Sequence, residues 1–150
     1  MQDYISHAVE QLKEDGFKIT KPRQMIVDLL AKSDKALSPY DMREILKKKK
    51  INADVVTIYR IMEMLEKTGL AHKVLAFSGY IRCNMEKTEE ENCHHYLLCQ
   101  KCHRVEELKG EKENLHDLEK KIAQKHQFTI SYHYLEFMGL CEACQKRKPK

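Results

Sequence analysis

Two cysteine pairs constrain this chain more than any other feature. Cys99-Gln-Lys-Cys102 and Cys141-Glu-Ala-Cys144 are both C-x-x-C knuckles. Together they supply four thiolates, a complete tetrahedral donor set for zinc. Four thiolates leave no coordination position for a reacting water, so the site they imply is structural rather than catalytic. The pairs stand farther apart than in a compact zinc ribbon, so one zinc held by both ties the start of a domain to its end. The competing reading, two redox dithiols, asks for a βαβ setting that these segments lack.

The remaining ligand-type residues follow the same bias. All six cysteines lie from Cys83 onward, and seven of the eight histidines from His72 onward. Residues 1–82 hold 15 Lys/Arg and 11 Asp/Glu, whereas residues 83–150 hold 12 of each. A basic, ligand-poor half and a neutral, ligand-rich half predict two small domains with two jobs, and 150 residues suffice for both. The first ten residues are polar and lack the apolar core of an export signal. No run approaches the roughly 18 apolar residues that span a bilayer. The expectation is a cytoplasmic protein without a membrane partner, in a compartment where cysteines are more readily ligands than disulfides.

Periodicity predicts mostly helix in the first half. Residues 3–14 carry Ile5, Val9 and Leu12 on one face, and Asp15-Gly16 ends the segment. Thr20 caps a second helix over 21–31, with Met25, Ile26, Leu29 and Leu30 apolar at helical spacing. Ser38-Pro39 begins a third, with Asp41 in its first turn and Met42, Ile45 and Leu46 inward. Asp54 caps a fourth to about Thr68, and Gly69 stops it. Residues 70–77 and 80–83 read as two strands joined at Ser78-Gly79. Helices followed by such a hairpin make a winged helix-turn-helix. The acidic, apolar-poor stretch 84–92 reads as a linker. Beyond it, strands near 96–98 and 105–108, a helix over 113–126 with Leu115, Leu118 and Ile122 as its apolar stripe, and a strand within 128–137 make a small α+β domain. The expected architecture is therefore α+β: a winged helix-turn-helix at 1–83, a hinge at 84–92 and an α+β domain at 93–150.

The fourth helix divides as a recognition helix must. Val55, Ile58, Met62 and Leu65 form the stripe to be buried, and Arg60 lies opposite, with Val56 and Thr57 beside it and Tyr59 at the border. Such a helix packs one stripe and frees the other face for the major groove of DNA. An arginine there can bond bidentately to guanine or to phosphate, and a tyrosine can touch a thymine methyl. The lysines 47–50 read as a solvated helix end, and the basic tail 146–150 as disordered chain.

Thr57-Ile-Tyr-Arg60 resembles the T-V-Y-R recognition-helix motif of the ferric uptake regulator (Fur) family. Ile19-Thr-Lys-Pro-Arg23 resembles that family's L-T-x-x-R helix start, and Ser38-Pro-Tyr-Asp41 its S-A-x-D. The two C-x-x-C pairs stand where many members place theirs. The resemblance spans roughly residues 10–145. It implies a winged-helix DNA-binding domain, a hinge and an α+β dimerisation domain, with Tyr59 and Arg60 contacting double-stranded operator DNA and the chain acting as a homodimer.

The resemblance also implies a regulatory metal site near the hinge. His72 and Cys83, eleven residues apart across the hairpin, are similar to the arrangement in the zinc-uptake regulators (Zur) of that family. It carries over a ligand set of His72, Cys83, His94 and Glu107, with Cys93 as the rival for the place of His94. The His-x-His that iron and peroxide sensors carry before the first knuckle is absent, because Tyr96 fills its second position. A thiolate beside imidazoles favours zinc over ferrous iron. His95 and His133 fall where the family often has a third metal position, which Glu111 or Glu113 could complete. The expected function is a zinc-responsive repressor of zinc-uptake genes, with one structural and at least one regulatory zinc per chain. The alternative is an iron-, manganese- or peroxide-sensing regulator. No enzyme is expected, since H-E-x-x-H is absent.

Overall fold

The computed structural model describes residues 2–83, 95–108, 113–131 and 133–146, with the side chains of Gln2, Glu113, Asn114 and His116 left aside. The expected linker 84–92, Cys93, His94, Glu111 and tail residues 147–150 lie outside the described residues. The chain divides into two compact units, Met1–Glu86 and Lys87–Lys150. Its class is α+β, as expected. Among the described residues, no helix is long and apolar enough to cross a membrane.

The first unit runs α1 (Gln2–Glu14), α2 (Lys21–Lys32), α3 (Pro39–Lys48), α4 (Val55–Lys67), β1 (Ala71–Val74) and β2 (Gly79–Arg82). Its core is one cluster in which Leu12, Leu30, Met42, Leu46, Ile58, Met62 and Leu65 are fully buried. On α1 the innermost residues are Ala8 and Leu12, while Ile5 and Val9 are only half-buried. Alanine lets the helix approach its neighbours closely. Thr20 occupies the N-cap of α2, but its side chain makes no capping bond. At α3 the capping box is complete: Ser38 accepts from the amide of Asp41, and the Asp41 carboxylate accepts from the amide of Ser38.

Helix α4 ends in a Schellman motif. The amide of Leu70 reaches the carbonyl of Leu65 at 2.8 Å, and that of Gly69 reaches Glu66 at 2.9 Å. Gly69 takes φ +70°, a conformation that favours glycine. The reversed chain then enters the antiparallel hairpin β1–β2, with His72 opposite Ile81. The strands are shorter than expected, because residues 75–78 form the turn. A third segment joins this wing: Leu37 and Tyr80 exchange two main-chain bonds of 2.9 Å. Gly79 sits against that segment, where a Cβ would lie 3.1 Å from the Leu37 carbonyl carbon.

The second unit runs β3 (His95–Cys99), β4 (Val105–Glu107), α5 (Glu113–His126), β5 (Leu135–Gly139) and α6 (Glu142–Lys146). The sheet order is β4-β3-β5, with β3 antiparallel to β4 and parallel to β5. A parallel pair needs a long crossover, and β4 and α5 lie within it. The strand expected within 128–137 forms only at 135–139, displaced toward the second knuckle. On α5, Leu118 and Ile122 are exposed, and the half-buried line is Leu115, Glu119 and Ala123, spaced four residues apart.

Candidate metal centres and nucleic-acid interface

The parallel pairing of β3 with β5 builds the cysteine cluster. Cys99 ends β3 directly beside Gly139, the end of β5. The amide of Gln100 continues the ladder onto the Gly139 carbonyl at 2.9 Å. Both knuckles therefore leave the sheet at the same place. Cys102 lies in the turn between β3 and β4, Cys141 immediately precedes α6, and Cys144 lies within its first turn. One Sγ from each of the four cysteines lies within 4.8 Å of the others. The Cys102 and Cys141 sulfurs are 3.7 Å apart. The edge of a zinc–thiolate tetrahedron with bonds of about 2.3 Å is about 3.8 Å, so the cage has the dimensions of such an ion.

The electrostatics point the same way. The amide of Cys141 is directed at the Cys99 sulfur, 3.4 Å away. That contact and the amide of Cys102 lower the Cys99 thiol to about 5. Burial and the neighbouring thiols push Cys144 up to about 12. Four thiolates cannot crowd together uncompensated, whereas a divalent cation neutralises two of the four charges and favours the anionic form of each. His103, after the second cysteine, takes φ +62° and closes the knuckle by donating its amide to the Cys99 carbonyl.

A second constellation lies on the wing of the first unit. His72 faces Ile81 across the ladder, and Cys83 is two residues beyond Ile81. Alternation therefore puts His72 and Cys83 on one face of the hairpin as diagonal neighbours. Their donor atoms lie within 4.8 Å of each other. The amide of Cys83 donates to the Leu70 carbonyl at 3.0 Å, extending the ladder to the cysteine itself. Arg82, just before it, donates to the Ala31 carbonyl at the end of α2. Glu107 is half-buried on β4 of the second unit, opposite Tyr96.

A third meeting point lies within the second unit. His95 is buried at the start of β3. Its Nε2 lies 3.0 Å from Nε2 of His133, with the rings stacked at 5.3 Å. Nδ1 of His133 is 3.5 Å from a carboxylate oxygen of Glu119. Carboxylate, imidazole and outward Nε2 form the line that orients a histidine toward a metal. The sequence reading named Glu111 or Glu113 here and missed Glu119. Its signal was a carboxylate in line with Leu115 and Ala123 on α5.

On α4, the buried residues are Ile58, Ile61, Met62, Met64 and Leu65, while Val55 is only half-buried. Val56, Thr57, Tyr59 and Arg60 are exposed. Asp54 caps this helix, accepting the amide of Thr57 at 2.6 Å. That bond, helped by the nearby guanidinium groups of Arg60 and Arg43, holds its carboxyl below the usual range.

Comparison with known proteins agrees with this geometry. The model of the Ferric uptake regulator family matches residues 14–138. The ferric uptake regulation protein of Bacillus subtilis is 29% identical over 149 residues, covering 99% of each chain. The zinc uptake regulation protein of Escherichia coli is 26% identical over 143 residues, covering 95% of this chain and 82% of its own. A solved structure of a zinc uptake regulator in complex with zinc and DNA superposes with a TM-score of 0.84 at 26% identity, covering 97% of this chain and 95% of the other. A match over most of the length, joined to a winged helix-turn-helix and a four-cysteine cage, decides the matter: the chain belongs to the Ferric uptake regulator family.

Proposed function

We propose that this protein is a zinc-responsive repressor that binds operator DNA as a metal-loaded homodimer and controls zinc-uptake genes from the cytoplasm. The observation that carries the choice of metal is the pairing of His72 with Cys83 on one face of the hairpin. A thiolate beside an imidazole suits zinc, whereas ferrous iron accepts more nitrogen and oxygen ligands. Cys99, Cys102, Cys141 and Cys144 hold a structural zinc. His72, Cys83, His94 and Glu107 hold the regulatory one, with Cys93 as the alternative to His94. His95 and His133 hold a further ion, with Glu119 orienting His133.

The regulatory ligands come from both halves of the chain. Holding an ion with all four restricts the freedom of one half relative to the other, so the ordering cost of DNA binding falls when metal is present. A coupling of ~1–3 kcal/mol per site is enough to switch occupancy. Tyr59 and Arg60 contact bases and phosphates in the major groove. Two recognition helices in a dimer meet half-sites about 10 bp apart. The dimer surface is apolar: Leu97 and Phe137, neighbours on β3 and β5, are 41% and 48% exposed. Leu118 and Ile122 present a second apolar line on α5. Patches of this kind mark surfaces that a partner covers.

The test is elemental analysis of zinc per chain, before and after mild chelation, in the wild type and in Cys83→Ala. The expected result is the four-cysteine ion and the His95–His133 ion in both proteins, and one further, readily chelated ion in the wild type only. If the wild type holds no ion that Cys83→Ala lacks, the sensor reading fails. An iron-, manganese- or peroxide-sensing regulator is the second reading, favoured by the similarity to ferric uptake regulation proteins. DNA binding that responds to ferrous or manganous ion but not to zinc would establish it.

A further inference from the structure

We infer that Val56 reads thymine, its methyl groups resting on the 5-methyl group of a thymine in the major groove beside the contacts of Tyr59 and Arg60. The inference rests on the DNA-binding reading above and adds a specificity-determining residue to it. Val56 stands in the first turn of α4, and it is 58% exposed although it carries no polar atom. Tyr59, 40% exposed, and Arg60 follow at three and four residues, so the three side chains share one face of the helix. The same face turns acidic one turn later at Glu63, which is exposed. A carboxylate is repelled by the phosphate backbone, so the part of α4 that can approach DNA closely is the stretch from Val56 to Arg60. The N-terminal residues of a recognition helix are also those that contact base edges.

An isopropyl group cannot bond to phosphate or to a base heteroatom. The one apolar group that distinguishes base pairs in the major groove is the thymine methyl. A β-branched side chain in a helix is nearly confined to one rotamer, so Val56 loses little freedom on contact. Arg60 on the same face can bond guanine or phosphate, and the two side chains together discriminate by complementary means.

The test uses the zinc-loaded full-length protein and a duplex that it enriches from a random pool. Each thymine of that duplex is replaced in turn by deoxyuridine, which lacks only the methyl group, and affinity is measured by fluorescence anisotropy. At one position per half-site, wild-type binding should weaken about fourfold, the loss expected for one buried methyl group. Val56→Ala should bind the thymine duplex about fourfold more weakly and be indifferent to uracil at that position, with its thermal unfolding unchanged. The inference is overturned if no uracil weakens the wild type, or if Val56→Ala keeps the wild-type loss at every position. Should the zinc-loaded wild type enrich no duplex at all, the DNA-binding reading fails and takes this inference with it, a result distinct from either of those.

Discussion

The hydroxyl of Tyr4 donates to the main-chain carbonyl of Leu70 at 2.8 Å. The same carbonyl accepts the amide of Cys83 at 3.0 Å. Helix α1 is thus fastened to the point where the wing hands the chain on to Cys83. Tyr4→Phe removes the donor while leaving the carbonyl one partner. It should cost ~1 kcal/mol of stability, read as a lower urea midpoint with an unchanged slope. An unchanged midpoint would show that the bond contributes nothing net.

Cys102→Ser should remove the structural zinc. In a cage of this kind the free energy of metal binding is also folding free energy. The variant should hold about one ion fewer per chain and lose cooperative thermal unfolding of the second unit. A variant that keeps both the ion and the transition would show that the four cysteines are not the ligands.

Arg60→Ala should weaken operator binding by ~1–3 kcal/mol, roughly five- to 150-fold, with zinc content and unfolding temperature unchanged. Arg60→Lys should recover little of this if the contact is bidentate. Full recovery by lysine would reduce the arginine to a simple positive charge.

The cap of α4 makes a pH prediction. The carboxyl of Asp54 titrates below its ordinary value in the folded chain, chiefly because it accepts the amide of Thr57. A depressed carboxyl contributes stability above its unfolded value, and that contribution fades as pH falls through the folded one. Asparagine caps about as well but does not titrate. Wild type should therefore unfold at a higher temperature than Asp54→Asn at pH 7, and the gap should close below about pH 4. Low-pH loss of metal affects both proteins equally, so the difference isolates Asp54. A gap independent of pH would contradict the assignment.

His133→Ala should lower the metal content by one ion without touching the pair of His72 and Cys83. Glu119→Gln should weaken the same ion less severely, because Glu119 meets the imidazole at Nδ1 rather than the metal. Loss of the same ion from Cys83→Ala would merge the two sites into one.

The residues by themselves determined what is local. Ser38-Pro39, Asp54 and Gly69 mark helix ends because caps and positive φ are properties of a few adjacent residues. The C-x-x-C spacing announced a thiolate cage, and the division of α4 into a buried stripe and a Tyr59-Arg60 face was legible as periodicity. The tertiary structure decided which distant segments meet. Nothing in the sequence shows that β3 pairs parallel with β5, yet that pairing brings Cys99 beside Cys141 and His95 beside His133. The third segment of the wing at Leu37 came from the same source. Apolar periodicity likewise gave the stripe of α5, but not that this chain leaves its Leu118 and Ile122 exposed. A pattern of apolar residues records that a face is to be covered. Which surface covers it depends on pairings between residues far apart in the chain, and no local rule encodes those.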